Sequence, residues 1–449
     1  DFHSRALNMA CEFSGREAST RRTMVDVALA RISDPLGEGQ RVFTKVYADA
    51  ARRVADHADV LAGLGIESPP LAGLPVSIKD LFDVKGEATT AGSRLLSEAP
   101  PALQDAEVVR RLRRAGAAII GKTNMTEFAF SGLGLNPHYG TPLNAWDRKA
   151  KRIPGGSSSG AAISVTDGMA VAAVGTDTGG SCRIPAALNG IVGMKPTACS
   201  VPLTGVLPLS ASYDSVGPLA ASVDTCALLY GVLSGTASDA RPVGPRGLSL
   251  AVVKNYVLEQ LDGVVARTYE AALRRLAAAG VQIQEISIPV LNDLPMLFEG
   301  GGVVAAQAYS WHRNLLMANE AAYDPRVSIR IKRGEAMPAH AYVEIQHHRR
   351  RFVHGWSQQI RAFDAVVMPT VPLVAPRMVE LADDGEYGRV NLLMLRNPTV
   401  INALDGCAIS LPCHEKGAAP VGLMVACRHG RDWDLLEIAR ALEEVLARE

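Results

Sequence analysis

The stretch VGTDTGGSCRIPAALNG at 174–190 sets Ser181 behind two glycines and contains no histidine. Glycines permit a tight turn and keep side chains away from a small substrate, so a serine following Thr178, Gly179 and Gly180 can be surrounded by backbone N–H groups. Such groups are what the oxyanion of an acyl transfer needs. Two other readings fit the string alone: a structural glycine-rich loop with an incidental serine, and a phosphate loop. Within this stretch the glycine spacing misses GxxxxGK[ST] and GxGxxG, which weakens a nucleotide-binding reading, and Ser181 does not stand in a GxSxG elbow.

A serine hydroxyl needs activation. The ten histidines include His138, His347, His348, His354 and His414, and none stands in a local catalytic pattern. Lys79 is the better candidate, because GLPVSIKD reads as an apolar strand ending at a lysine, and burial there would depress its pKa enough for the neutral amine to take a proton. The alternative is a snorkelling lysine paired with Asp80 or Asp83. PGGSSSG at 154–160 adds Ser157, Ser158 and Ser159, hydroxyls able to donate one hydrogen bond while accepting another. Alone, that string reads equally as a helix cap or a loop.

The elements that must hold these residues alternate. Residues 20–66 read as helices joined by a turn, a cover over the body. GLPVSIKD is followed by the helix DAEVVRRLRRAG, acidic early and basic late, and by the buried strand AAIIGKTN. GGSSSGAAISVTDGM passes from loop into helix, and AVAAVGTDT is the strand that delivers Ser181. The Gly217-Pro218 pair reads as a turn before the helix VDTCALLYGVL. Another strand, helix, strand set spans 238–290, a basic helical insertion spans 298–360, FDAVVMPTVP is a buried strand, and DWDLLEIARALEEVLA is a closing amphipathic helix. Without repeats or linkers, one α/β domain over 1–449 is expected.

Composition agrees with that expectation. At 48% hydrophobic over 449 residues the chain can bury a large core, and 46 basic residues balance 46 acidic ones, so no general attraction to nucleic acid or to an anionic membrane follows. A small molecule is the expected partner. Seven scattered cysteines suggest no disulfide framework or zinc site and point to a reducing compartment, the cytoplasm. Apolar runs break well short of a membrane span. The opening DFHSRALNMACEF lacks an initiator methionine and a signal-like segment, so residue 1 is expected to be a processing boundary.

Taken together, GLPVSIKD, TNMTEFAFSG, PGGSSSG, GTDTGGSCRIPA and GIVGMKPT resemble the amidase signature family, in order through 71–221, with weaker similarity in FDAVVMPT and in the DGCAISLPC and APVGLMV region. The resemblance implies a single α/β/α domain around a large mixed β-sheet and a Ser-Ser-Lys triad: Ser181 as nucleophile, Ser157 as bridging serine, Lys79 as terminal base. The separation of 24 residues between Ser157 and Ser181 matches the family arrangement and selects Ser157 over its neighbours. It also implies a cis peptide at Gly156-Ser157 and an oxyanion hole from the backbone N–H groups of Thr178, Gly179, Gly180 and Ser181. Asp177, Arg183 and Ser158 are then supporting residues, Cys182 a small hydrophobe, and Met125, Phe128 and Phe130 pocket candidates. Arg396 and Asn397 fall where substrate contacts often arise.

The activity so implied is hydrolysis of a small-molecule carboxamide or carbamoyl compound, such as an allophanate or biuret derivative, through an acyl-enzyme and with no metal or cofactor. A glutaminase-like subunit of a tRNA-dependent amidotransferase and a non-catalytic binding protein on the same fold are the alternatives. Homodimerisation is a family expectation. The four tryptophans and the insertion at 298–360 are candidates for covering the pocket or forming an intersubunit contact.

Overall fold

The computed structural model describes residues 20–447. Eleven strands form one mixed sheet: β1 (Phe43–Val46), β2 (Pro75–Lys79), β3 (Ala118–Thr123), β4 (Ala172–Asp177), β5 (Val192–Lys195), β6 (Ser215–Ala220), β7 (Ser249–Val253), β8 (Gln282–Ile286), β9 (Ala365–Pro369), β10 (Cys407–Pro412) and β11 (Gly422–Cys427). Their spatial order is β1-β3-β2-β4-β6-β5-β10-β11-β9-β7-β8. Parallel pairing joins β3, β2 and β4 on one side and β9, β7 and β8 on the other, with antiparallel strands between.

Strand periodicity builds a core on each face of this sheet. Leu250 and Val252 enter one apolar cluster while Ala251 and Val253 enter another, and Leu423 and Val425 alternate in the same way with Met424 and Ala426. Both faces are therefore covered by helices, the α/β/α arrangement.

Two local readings are corrected. Between the helices Arg21–Ser33 and Ala48–Gly63 lies not a simple turn but edge strand β1, antiparallel to β3; residues 1–19 of the expected domain lie outside the described residues. Four residues are too few for a periodic signal to compete with helical flanks. Gly217-Pro218 lies inside β6 rather than at a turn, with Pro218 opposite Val174 of β4. The ladder to β5 has already ended at Leu219, so the missing N–H of Pro218 interrupts no pairing there. A Cβ on Gly217 would stand 2.0 Å from the Met194 carbonyl oxygen, so only glycine fits that crossing.

The expected insertion is helical, comprising Gly302–Asn319, Pro325–Lys332 and Ala339–Gln359. Among the described residues no helix is long and apolar enough to cross a membrane, and six cysteines are free thiols.

Candidate active site

The site forms because β2 and β4 are parallel neighbours, which brings their C-terminal ends to one edge of the sheet. Lys79 is the last residue of β2, and Ser181 follows β4 on the turn into the helix Arg183–Asn189. Ser157 and Ser158 precede the helix Ser159–Thr166, which packs against β4. The Gly156-Ser157 peptide is cis. A Cβ on Gly156 would lie 2.6 Å from the Gly134 nitrogen, which explains a glycine there.

Lys79 has no exposed surface, and its Nζ donates to Ser157 Oγ and to Thr176 Oγ1, each at 2.8 Å. Burial lowers the Lys79 pKa to about 8, although the nearby Asp177 and Asp214 carboxylates pull it upward. Asp80 and Asp83 do not orient it. Asp80 forms an ion pair with Lys122 at 2.7 Å, and Asp83 accepts from Thr89.

Ser181 lines a cavity of about 680 Å³ together with Thr178 and Gly179. Ser181 Oγ has no hydrogen-bond partner within the protein among the described residues, so the Ser157–Ser181 leg of a relay is open in this state. A serine gains a new partner by rotating about one side-chain bond, and catalytic hydrogen bonds commonly tighten only with substrate bound.

The turn that carries Ser181 is braced from beneath. Asp177 Oδ1 accepts from the Gly180 N–H (2.9 Å) and Oδ2 from the Cys182 N–H (3.1 Å), while Arg183 holds both oxygens at 2.8 and 3.0 Å. Arg183 also donates to Asn402 Oδ1 and to the Pro398 carbonyl, and Asn402 Nδ2 donates to Asp177 Oδ1. This brace keeps the Asp177 carboxyl well below the ordinary carboxylate range despite complete burial, through the adjacent guanidinium and these hydrogen bonds. Gly180 adopts φ 126°, and a Cβ there would lie 2.5 Å from Pro398 Cβ, so glycine is required twice over. Of the four amides expected to form an oxyanion hole, the Gly180 N–H is taken up within the protein by Asp177.

Arg183→Ala would strand a fully buried carboxylate. Unfolding stability is expected to fall by about 3–5 kcal/mol, read as a lower urea midpoint. An unchanged midpoint would contradict the bracing role.

Sequence reasoning missed four supporting residues. Thr176 lies on β4 beside Lys79, a position that strand pairing alone reveals. Asp214 accepts from Thr178 Oγ1 (2.6 Å) and from the Leu209 and Ser210 N–H groups. Burial raises its pKa to about 6, opposed by those hydrogen bonds. Thr399 Oγ1 donates to the Gly179 carbonyl, and Asn402 braces Asp177. No local motif marks any of them.

Because the Asp214 charge favours protonated Lys79, Asp214→Asn is expected to move the ascending limb of kcat/KM against pH to lower pH. A limb that stays in place would remove that coupling.

The pocket candidates divide. Phe130 and Arg396 line the cavity. Met125 and Phe128 do not: both are buried in the core, where Phe128 packs edge-on against His312 with ring centroids 4.4 Å apart. Asn397 is likewise structural, donating to the Val257 and Pro369 carbonyls. Ser158 donates to the Thr176 carbonyl, and none of the four tryptophans lines the cavity. Among the described residues no group of three or more His, Cys, Asp or Glu is placed to hold a metal ion.

A mixed sheet presenting a serine behind two glycines to a cavity, with a depressed-pKa lysine hydrogen-bonded to a second serine nearby, defines a serine amidohydrolase architecture. The chain belongs to the amidase family, whose model matches residues 36–436, and it is an enzyme of amide C–N bonds. It is 34% identical over 403 residues to 2-amino-5-chloromuconic acid deaminase from Comamonas testosteroni, covering 88% of this chain and 86% of that one. It is also 34% identical over 439 residues to a glutamyl-tRNA(Gln) amidotransferase chain of Koribacter versatilis, covering 89% and 90% respectively. A crystal structure of an amidase superposes with TM-score 0.85 at 31% identity over 97% of this chain and 98% of the other. An inhibitor-bound structure of a vestigial protein complex, one that reveals the evolutionary origins of an s-triazine catabolic enzyme, gives TM-score 0.85 at 28% identity over 97% of each chain.

Proposed function

We propose that this chain hydrolyses a small-molecule carboxamide or carbamoyl compound to a carboxylate and ammonia or an amine, with Ser181 as nucleophile, Ser157 as relay and Lys79 as base. The observation that carries this reading is the buried Lys79–Ser157 contact at 2.8 Å on the sheet edge where Ser181 opens into the cavity. Neutral Lys79 accepts the Ser157 proton as Ser157 accepts that of Ser181, whose oxygen attacks the amide carbonyl. The amides of Thr178, Gly179 and Ser181 receive the developing oxyanion. Ser157 then returns a proton to the departing nitrogen, which would otherwise leave as a poor anion. Water attacks the acyl-enzyme by the same relay in reverse.

The second reading is a glutaminase-like chain passing ammonia to a tRNA-dependent partner, favoured by the similarity to the Koribacter amidotransferase chain. Ammonia release from a panel of primary amides and carbamoyl compounds, with glutamine in parallel, separates the two. Turnover of simple amides by the isolated chain supports hydrolysis of small molecules. Turnover of glutamine alone, and only with a partner protein present, supports the other. Direct nucleic-acid binding is not part of the proposal, given the zero formal net charge. Free cysteines support a cytoplasmic setting, and homodimerisation rests on the family resemblance.

A further inference from the structure

The cavity carries an imbalance of charge that the triad does not use. Four arginines line it, Arg330, Arg333, Arg389 and Arg396, against two glutamates, Glu259 and Glu299. Arg389 is neutralised by Glu386 at 2.7 Å, and Arg396 is tied down through donations to Asn397 Oδ1 and the Glu259 and Val257 carbonyls. Arg330 donates one hydrogen bond, to the Phe130 carbonyl at 3.1 Å, while its guanidinium stands 5.0 Å from the Tyr387 ring. Arg333 has no hydrogen-bond or ion-pair partner among the described residues, and no carboxylate pairs with either arginine.

Arg330 and Arg333 stand three residues apart at the end of the helix Pro325–Lys332, a spacing that puts two side chains on one face. The start of that helix is anchored in the protein: Glu127, fully buried, accepts from the Asp324 N–H at 2.7 Å as well as from Ser93 Oγ. The two guanidinium groups thus sit on a fixed element, beside apolar wall residues Phe130, Leu209 and Phe298. A guanidinium offers a planar fork of donors suited to a carboxylate.

We propose that the cavity binds an amide that also carries a carboxylate, separated from the scissile bond by an apolar spacer, and that Arg333, with Arg330, holds that carboxylate. This deepens the hydrolase reading above and rests on it for the reaction, though not for the binding.

Binding is therefore measured without turnover. Succinamate, glutaramate and adipamate are titrated calorimetrically into Ser181→Ala protein, each against its neutral match: butanamide, pentanamide and hexanamide. At least one acid is expected to bind roughly tenfold or more tightly than its match, with the advantage shrinking as salt rises. Arg333→Gln, a substitution at an exposed position that leaves the core untouched, should remove most of the advantage, and Arg333→Lys should restore part of it. Equal or weaker binding of all three acids, no binding of any, or an advantage indifferent to Arg333→Gln overturns the proposal. Ammonia release by the wild type is read separately. Turnover of neutral amides with no carboxylate preference sinks the arginine subsite alone, whereas carboxylate-dependent binding with no turnover of any amide sinks the hydrolase reading alone.

Discussion

Ser181→Ala is expected to lower kcat by roughly 10⁴-fold or more, because removal of the nucleophile leaves only the oxyanion donors and substrate binding. Structure should be spared: Ser181 is 5% exposed, its hydroxyl holds nothing within the protein among the described residues, and losing one oxygen opens little space. Intact mass after treatment with a fluorophosphonate checks the assignment directly. One adduct on the wild type and none on the variant is the expected pattern. An adduct that persists on Ser181→Ala would place the reactive hydroxyl elsewhere, with Ser157 and Ser158 the first to test.

Lys79→Met should produce the second large loss, a drop in kcat of roughly 10²–10⁴-fold, the usual contribution of a positioned general base. Methionine is chosen because it keeps the volume of a fully buried side chain without a charge to desolvate. The pH profile distinguishes a base from a structural lysine. In the proposed mechanism the active form is the neutral amine, so wild-type activity is expected to rise as pH rises through about 8 and to fall about tenfold per unit below it. In Lys79→Met the residual activity should lose that limb. Persistence of a limb near 8 in the variant would assign the proton to another group and leave Lys79 as packing.

The two losses bear on different parts of one pathway, so they should not add. Ser181→Ala with Lys79→Met is expected to be scarcely worse than Ser181→Ala alone, since a base has nothing to activate once the nucleophile is gone.

The sequence by itself determined the covalent chemistry available and most of the layers. The two glycines before Ser181, an apolar run ending at Lys79 and alternating strand and helix patterns are local properties, and local properties are legible in one dimension. The order and combination of its motifs further pointed to the family. Beyond local range, the chain is silent about who meets whom. Thr176, Asp214, Thr399 and Asn402 hold the site from β4, the segment before β6 and the helix Asp384–Ala403, and nothing in their own neighbourhoods announces it. Met125 and Phe128 illustrate the converse: close in sequence to a residue of the cavity wall, they turn into the core because side-chain direction follows backbone geometry rather than proximity along the chain. The depressed pKa of Lys79 is also tertiary in origin. A strand-terminal lysine in water is an ordinary cation, and only the surrounding chain, by excluding solvent on every side, makes its neutral form accessible near pH 8.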